Sequence, residues 1–420
     1  MESTKEQAVI PQSLITEGYV REALKADKGS EALLKSWKVV DFTKRGDNYA
    51  CAVTSVEVKY TESGVEHEVS YIVKLNSCRA GQGVPDFSPV IFSKEGRFYQ
   101  EVVPVLNEML ISAGQEALRV PKCFFVSLES GKEQLYLEDL RARDFKMFDR
   151  RKGMDYDHAS LVLSELARLH SASYLLLKKL KEGESLSTKF DFISDEYLFS
   201  SDLATVYETF MKTNVDTGIK MLETIGGYES SIEWLRNFKE EVPEICSVGT
   251  QSKKYTSICH GDCWNNNVLF RYNDEGRPVE LMLVDLQIGR EASFAYDLNY
   301  FLYTSLTGDV RGPNIENFLT IYFSSYKEVL KGADMPMYFD KEELVKEFRS
   351  KNKLGLLFSM GIIPALLAEP EEAPEFIDQD IEKFMLEMKR VAFSLLKTNP
   401  LCKPRFLSIF DEFLESGLIS

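Results

Sequence analysis

Three oxygen-bearing side chains carry the strongest chemical signal in this sequence. They fall in His260-Gly261-Asp262-Cys263-Trp264-Asn265-Asn266-Asn267 and, eighteen residues beyond Asn267, in Val284-Asp285-Leu286-Gln287. The runs Val268 to Tyr272 and Val279 to Asp285 read as strands joined by the turn Asn273-Asp274-Glu275-Gly276. An antiparallel hairpin sets the start of one strand beside the end of its partner. Asn267 and Asp285 are therefore expected to be neighbours, with Asp262 on the loop just before them. An amide oxygen and a carboxylate suit Mg2+, which keeps several waters and completes its shell with substrate phosphates. Asp262 then remains to receive the proton of an attacking hydroxyl, the division of labour of a phosphoryl-transfer site. Taken singly, an Asp or Asn in a loop usually makes a turn or a cap. The set and its spacing point to chemistry.

His260, a lone histidine beside a glycine, reads as a structural hydrogen-bonding residue. Cys259, His260 and Cys263 are too cramped for a zinc site, and a chain with four histidines supplies no second CxxC or HxxxH. Earlier in the chain, Lys74 sits in Tyr71-Ile72-Val73-Lys74-Leu75, a strand otherwise free of charge, so it needs a partner or a phosphate. Glu95, on a helix opened by Ser88-Pro89, is the natural partner. The turn Lys44-Arg45-Gly46-Asp47-Asn48 can lay backbone N–H groups of Gly46, Asp47 and Asn48 over phosphates, or be a plain hairpin loop. Glu138, Asp139 and Leu140 offer backbone to a purine, or the two acids simply cap a link between lobes.

The elements that must position these groups change character along the chain. The first forty residues show helical spacing in Ile15, Tyr19, Ala23 and Leu24. Strands follow at Ser36 to Phe42, at 52–60 and at 69–75, where apolar and polar residues alternate. Phe92, Glu95, Phe98, Tyr99 and Val102 lie at helical spacing, and Cys123 to Leu128 and Gln134 to Leu137 read as two more strands. From about 155 onward helical patterns dominate, broken only by the strand pair after Asn267. The expected class is α+β: an N-lobe at residues 1–139, a five-stranded antiparallel sheet with one helix, and a larger, mainly helical C-lobe at residues 140–420.

At 420 residues the chain exceeds what one core usually serves, in keeping with two lobes. A net charge of −16 repels phosphate backbones, which argues against a nucleic-acid partner and requires any nucleotide site to be locally basic or metal-bearing. Seven scattered cysteines make no disulfide framework, and Met1-Glu2-Ser3-Thr4-Lys5-Glu6 shows no apolar signal region. The longest uncharged run, Leu354 to Ala368, contains Pro364 and is too short for a membrane span, so it is expected to be a core helix. A cytoplasmic location follows as the expectation.

With these residues in view, the chain resembles the protein-kinase-like small-molecule kinases, the group of choline kinases and aminoglycoside phosphotransferases, and most of all their ecdysteroid kinase-like branch. Lys44 to Ala50, Ile72-Val73-Lys74, Phe92 to Tyr99, Leu137 to Leu140, Leu166 to His170, His260 to Phe270, Val284 to Gln287 and Tyr296-Asp297-Leu298 carry the likeness, which spans residues 35–400. It implies a bilobal protein-kinase-like fold and an enzyme using ATP and Mg2+. Asp262 would be the catalytic base and Asn267 and Asp285 the metal ligands. Lys74 would grip the α- and β-phosphates, held by Glu95, and the backbone of Asp139 and Leu140 would face adenine. Asp297 resembles a brace for the catalytic loop and His170 a buried helix residue.

Three positions depart from the family pattern: Cys51 after Ala50 where serine is common, Leu286 in place of an aromatic, and Cys263 in place of leucine. None removes a charged catalytic group. His-Gly-Asp instead of His-Arg-Asp, and Leu-Gln instead of Phe-Gly after the metal aspartate, argue against a protein kinase. The ninety positions from His170 to His260 would build the acceptor pocket, with Phe190, Phe192, Tyr197, Phe199, Tyr207 and Phe210 as candidate walls. The expected acceptor is a hydroxyl on a small lipophilic molecule, an ecdysteroid or a xenobiotic to be detoxified. A choline- or aminoglycoside-type cationic acceptor and a nucleotide-binding module without turnover remain as alternatives.

Overall fold

Alternating side chains build five strands between residues 33 and 138 into one sheet. A computed structural model describes residues 10–41, 51–76, 88–194, 201–369, 371–372 and 381–419. Its strands β1 (Leu33–Val40), β2 (Ala52–Glu62), β3 (Val65–Leu75), β4 (Cys123–Ser127) and β5 (Gln134–Glu138) are antiparallel in the order β1-β2-β3-β5-β4. β2 and β3 pair without a break from Ala52–Leu75 to Glu62–Val65. A period of two puts Tyr71, Val73 and Leu75 on one face and Ile72 and Lys74 on the other. The first face packs on Val20, Ala23 and Leu24 of helix α1 (Glu17–Lys28). The Thr16 side chain caps that helix by accepting from the Tyr19 amide at 3.3 Å. On the second face Val53, Ile72, Leu135 and Leu137 join the main core, which leaves Lys74 pointing inward.

Two expectations for this region need correction. Among the described residues of the first forty, helix covers only α1 and a 3-10 turn at Pro11–Leu14, because β2 is long enough to pair Leu33 with Thr61 and so draws β1 out to Leu33. The sheet also carries more than one helix: α1, then α2 (Ser88–Arg97), a π-helical turn at Phe98–Val102, and α3 (Val103–Ser112). Pro104 in the first turn of α3 supplies no N–H, and the widened turn before it absorbs the break.

The remaining chain runs β6 (Lys146–Met147), α4 (Tyr156–Leu177), α5 (Ser201–Ile225), α6 (Glu229–Cys246), β7 (Thr256–Cys259), β8 (Val268–Tyr272), β9 (Pro278–Leu283), β10 (Arg290–Ser293), α7 (Phe294–Ser305), α8 (Gly308–Gly332), α9 (Lys341–Ser350), α10 (Asn352–Leu367), α11 (Ile381–Thr398) and α12 (Cys402–Glu415). The strand pair expected after Asn267 is β8–β9; β6 adds to its edge, and β7 pairs with β10. These additions are four residues or shorter, too brief to show a period. Every residue of α7 is buried. The run 354–368 is the core helix α10, packed against α7. Small antiparallel sheet and larger helical mass together form a bilobal protein-kinase-like fold. Among the described residues no helix is long and apolar enough to cross a membrane.

Candidate active site

The β8–β9 hairpin brings the metal-ligand candidates together. Val268 pairs with Leu283, and the Val284 amide donates to the Asn267 carbonyl at 3.0 Å, so Asp285 emerges beside Asn267. Asp285 takes the left-handed backbone region at φ 68°, where Asp is tolerated better than most residues. It reverses the chain into the short turn Leu286–Ile288. On the facing loop Gly261 has φ +84°, and a Cβ there would lie 2.3 Å from the Ile288 carbonyl oxygen, so only glycine lets the two segments meet.

Asp297, at the start of α7, fixes the loop. Its carboxylate accepts from the backbone amides of His260 at 2.7 Å and Gly261 at 2.9 Å, and pairs with His170 Nε2 at 3.0 Å. Burial works against its charge, yet the His170 and backbone donors hold the carboxyl below its ordinary range. His170 in turn meets the Tyr322 hydroxyl at 2.9 Å, deep inside the helical region. His260 sits 3.0 Å from the Val284 carbonyl through Nε2, and its Nδ1 accepts from the Asp262 amide at 3.3 Å. Burial lowers its pKa, which agrees with a neutral ring donating through Nε2. It ties the Asp262 loop to the strand that ends in Asp285. His170, Cys259 and Asp297 cluster closely enough to suggest a metal. The Asp297 oxygens are committed to the loop, however, and the Cys259 thiol donates to Ser293 O at 3.4 Å. Burial also holds that thiol's pKa well above its usual range.

Asp262 is gripped on both oxygens. The Tyr300 hydroxyl, on α7, donates to Oδ1, and Asn267 Nδ2 donates to Oδ2 at 2.9 Å and to the Asp262 backbone oxygen at 2.8 Å. Burial pushes its carboxyl up to about 7 against the pull of Tyr300 and Asn267, with nearby Asp285 adding to the rise. With its N–H group spent on Asp262, Asn267 retains an amide oxygen to which no described residue donates. Asp285 has one oxygen beyond the one it gives to Lys74. Two hard oxygen donors on adjacent strand ends fit a magnesium ion.

Lys74 reaches this point from the other lobe. Its ammonium lies 2.8 Å from each oxygen of Glu95 and also pairs with Asp285 Oδ1. Burial disfavours the ammonium, but Asp285 and Glu95 more than offset it and hold Lys74 well above its ordinary pKa. Glu95 shifts upward, first through burial and then through Asp285. Two carboxylates compete for one cation. Helix α2 sets this triad: Glu95 sits on its buried side, and Phe98 just beyond packs so tightly on Gly289 that a Cβ there would lie 2.5 Å from the ring.

Other predicted residues are placed differently. The Asp139 carboxylate accepts from Ser70 at 2.6 Å and from Arg141 Nε at 2.8 Å, while Glu138 pairs with Arg143 at 3.2 Å. Leu140 is buried against Phe145 and Met282. The two acids thus brace the link with their side chains. Gly46, Asp47 and Asn48 lie outside the described residues, as do Tyr197 and Phe199. Phe190 and Phe192 belong to the main core instead of a ligand wall.

A cavity of 350 Å³ opens on Asp262. Tyr207, Phe210, Trp264, Tyr296, Tyr300 and Phe358 supply aromatic walls, and Asn214 and Gln287 are its neutral amides. Among the described residues Asp262 is its single charged lining residue. A larger groove of 1010 Å³ lies at the end of the sheet beside Trp37, Glu57 and Arg141, away from Asp262, and mixes both charge signs. Sequence reasoning reaches Tyr207 and Phe210 but not Tyr300 or Asn214. The available signals are the spacing of Tyr300 one turn after Tyr296-Asp297, and a lone amide between Met211 and Val215 on α5.

The family model described as the ecdysteroid kinase-like family matches residues 45–335. No curated protein matches the sequence. Among solved structures, a Plasmodium vivax ethanolamine kinase is 10% identical with a TM-score of 0.43, over 97% of this chain and 98% of its own. The GDP complex of wild-type aminoglycoside 2'-phosphotransferase-IIIa is 11% identical with a TM-score of 0.39, over 90% and 99%.

Proposed function

We propose, from the premise that the chain belongs to the ecdysteroid kinase-like family and is a small-molecule phosphotransferase, that it moves the γ-phosphoryl of ATP onto a hydroxyl of a lipophilic small molecule. The observation that carries this reading is the cavity itself. Its walls are apolar and aromatic, and among the described residues the one carboxylate in it is Asp262, held by Tyr300 and Asn267. A volume of 350 Å³ falls in the range of roughly 300–1,000 Å³ that takes drug-sized ligands.

Asp262 is the base in this reading. Its carboxylate lies at the cavity floor, where an acceptor hydroxyl can give up its proton as the oxygen attacks phosphorus. Tyr300 and Asn267 orient it, and Asp297 holds the loop beneath. Asn267 and Asp285 would hold magnesium, which supplies charge neutralisation to the phosphates when bound. Lys74, now shared between Glu95 and Asp285, is positioned to bind phosphate oxygens, with Glu95 keeping it in place. The backbone at Asp139 and Leu140 and the glycine turn at Gly46, Asp47 and Asn48 would face the nucleotide. Residues 1–139 and 140–420 would act as the nucleotide-binding and acceptor-binding lobes, in the cytoplasm.

Aminoglycosides carry several ammonium groups, which a cavity with one carboxylate among its described lining residues serves poorly. The aromatic walls would also accept a quaternary ammonium of choline type. A direct test is to incubate the protein with MgATP and, separately, sterols, plant phenolics and choline, and to look by mass spectrometry for the gain of one phosphate. Phosphorylated sterol or phenolic that disappears in Asp262→Asn supports the assignment. Phosphocholine alone supports the cationic reading, and nucleotide binding without any product supports a module without turnover.

A further inference from the structure

Resting on the acceptor cavity proposed above, we infer that Asn214 selects acceptors carrying a second hydrogen-bonding oxygen, a hydroxyl or a carbonyl, away from the hydroxyl that is phosphorylated.

Asn214 is 7% exposed and lies in the middle of α5, facing the cavity. An amide offers two donors and an acceptor oxygen. Here its polar contact among the described residues is Nδ2 to Met211 Sδ at 4.0 Å, a weak one. Thr213 and Thr217, beside Asn214 on the same helix, satisfy themselves on the preceding turn at 2.8 Å. A buried amide left without partners is costly unless a ligand completes it.

The opposite helix makes room for this amide. A Cβ on Gly361 would lie 2.5 Å from Asn214 Nδ2, so α10 keeps a glycine in its interior, where glycine weakens a helix. The position is also remote from the base. Tyr300, which holds Asp262, meets the Phe358 ring at 4.5 Å between centroids, and Gly361 with Asn214 comes one helical turn further along α10. Asn214 borders an adjoining recess with Thr217 and Met385 that Asp262 does not line. An acceptor with its reactive hydroxyl on Asp262 therefore extends along apolar walls to Asn214, while the cavity's other amide, Gln287, adjoins Ile288 at the Asp262 loop. A ligand without oxygen at that end leaves the amide dry, a loss of about 10- to 100-fold in affinity.

Estradiol and deoxyestradiol share a ring skeleton and differ in one terminal hydroxyl, which makes them suitable probes. Binding of each to the full chain is measured by calorimetry for wild type, Asn214→Leu and Gly361→Ala. Wild type is expected to prefer estradiol by about tenfold or more. In Asn214→Leu the preference should fall to about one while deoxyestradiol binding is kept, a pattern that general damage to the fold does not produce. Gly361→Ala, which displaces the amide, should lower the preference in the same direction. Equal binding of the two probes by wild type, or equal weakening of both in Asn214→Leu, overturns the inference and leaves the lipophilic-acceptor reading standing. Binding of neither probe overturns both together.

Discussion

Replacing Tyr300 by phenylalanine removes one hydroxyl and isolates what keeps the proposed base charged. Asp262 stands at about 7 because burial raises its pKa while the Tyr300 and Asn267 donors pull it down. A hydrogen bond to a charged acceptor is worth about 1.5–3 kcal/mol, and one pH unit corresponds to about 1.4 kcal/mol, so its loss moves the titration up by about one to two pH units. Only the deprotonated carboxylate accepts the hydroxyl proton, so kcat/KM rises with pH through this titration. At pH 7 the competent fraction falls from about half to between about a tenth and a hundredth, a loss of about 5- to 50-fold. Raising the pH restores the activity. The assay is kcat/KM for the acceptor against pH at saturating MgATP, in wild type and Tyr300→Phe. A loss that is the same at every pH, or a limb that stays in place, would refute the reasoning and leave Tyr300 as a packing residue.

Further outcomes follow from the same geometry. The folded-state value of about 7 for Asp262 lies above the ordinary carboxyl value of 3.8, so between these values the folded chain holds a proton that the unfolded chain releases. Ionising Asp262 thus costs stability as pH rises through this window. Thermal melts should show Asp262→Asn gaining on wild type from about pH 4 to about pH 7; a constant gap contradicts the burial. Lys74→Met leaves Glu95 and Asp285 facing each other without their cation and should destabilise by about 3 kcal/mol or more, with part recovered in Lys74→Met/Glu95→Gln. Denaturant midpoints measure both, and a neutral single variant refutes the shared ion pair. Gly261→Ala adds a side chain at φ +84° against the Ile288 carbonyl. It should lower kcat by about tenfold or more through displacement of the Asp262 loop, and unchanged kcat would show that the loop tolerates the shift.

The juxtaposition of the candidate site residues was legible in the sequence because it rests on local rules. A hairpin forces the first residue of one strand beside the last of the next, so the Asn267–Asp285 juxtaposition needs nothing beyond two short runs and a turn. A lysine in an apolar strand had to find charge, and Glu95 lay at the right offset on the following helix. The alternation of β2 and β3 was equally plain. What escaped depends on long-range packing. β6, β7 and β10 are too short for a period, and β1 extends to Leu33 only because β2 continues to Thr61. Tyr300 reaches Asp262 because α7 lies under its loop, and Asn214 reaches the cavity where α5 and α10 meet over Gly361. Aromatic residues at helical spacing gave no means of separating the walls Tyr207 and Phe210 from the core residues Phe190 and Phe192.

The central claim, that Asn267 and Asp285 hold a divalent cation beside Asp262, is tested most directly by titrating manganese into the protein with a non-hydrolysable ATP analogue and following the bound ion by electron paramagnetic resonance. Wild type and Asp262→Asn are expected to bind the ion, and Asp285→Ala and Asn267→Ala to lose it. Wild-type manganese affinity in both of the latter variants would contradict the account.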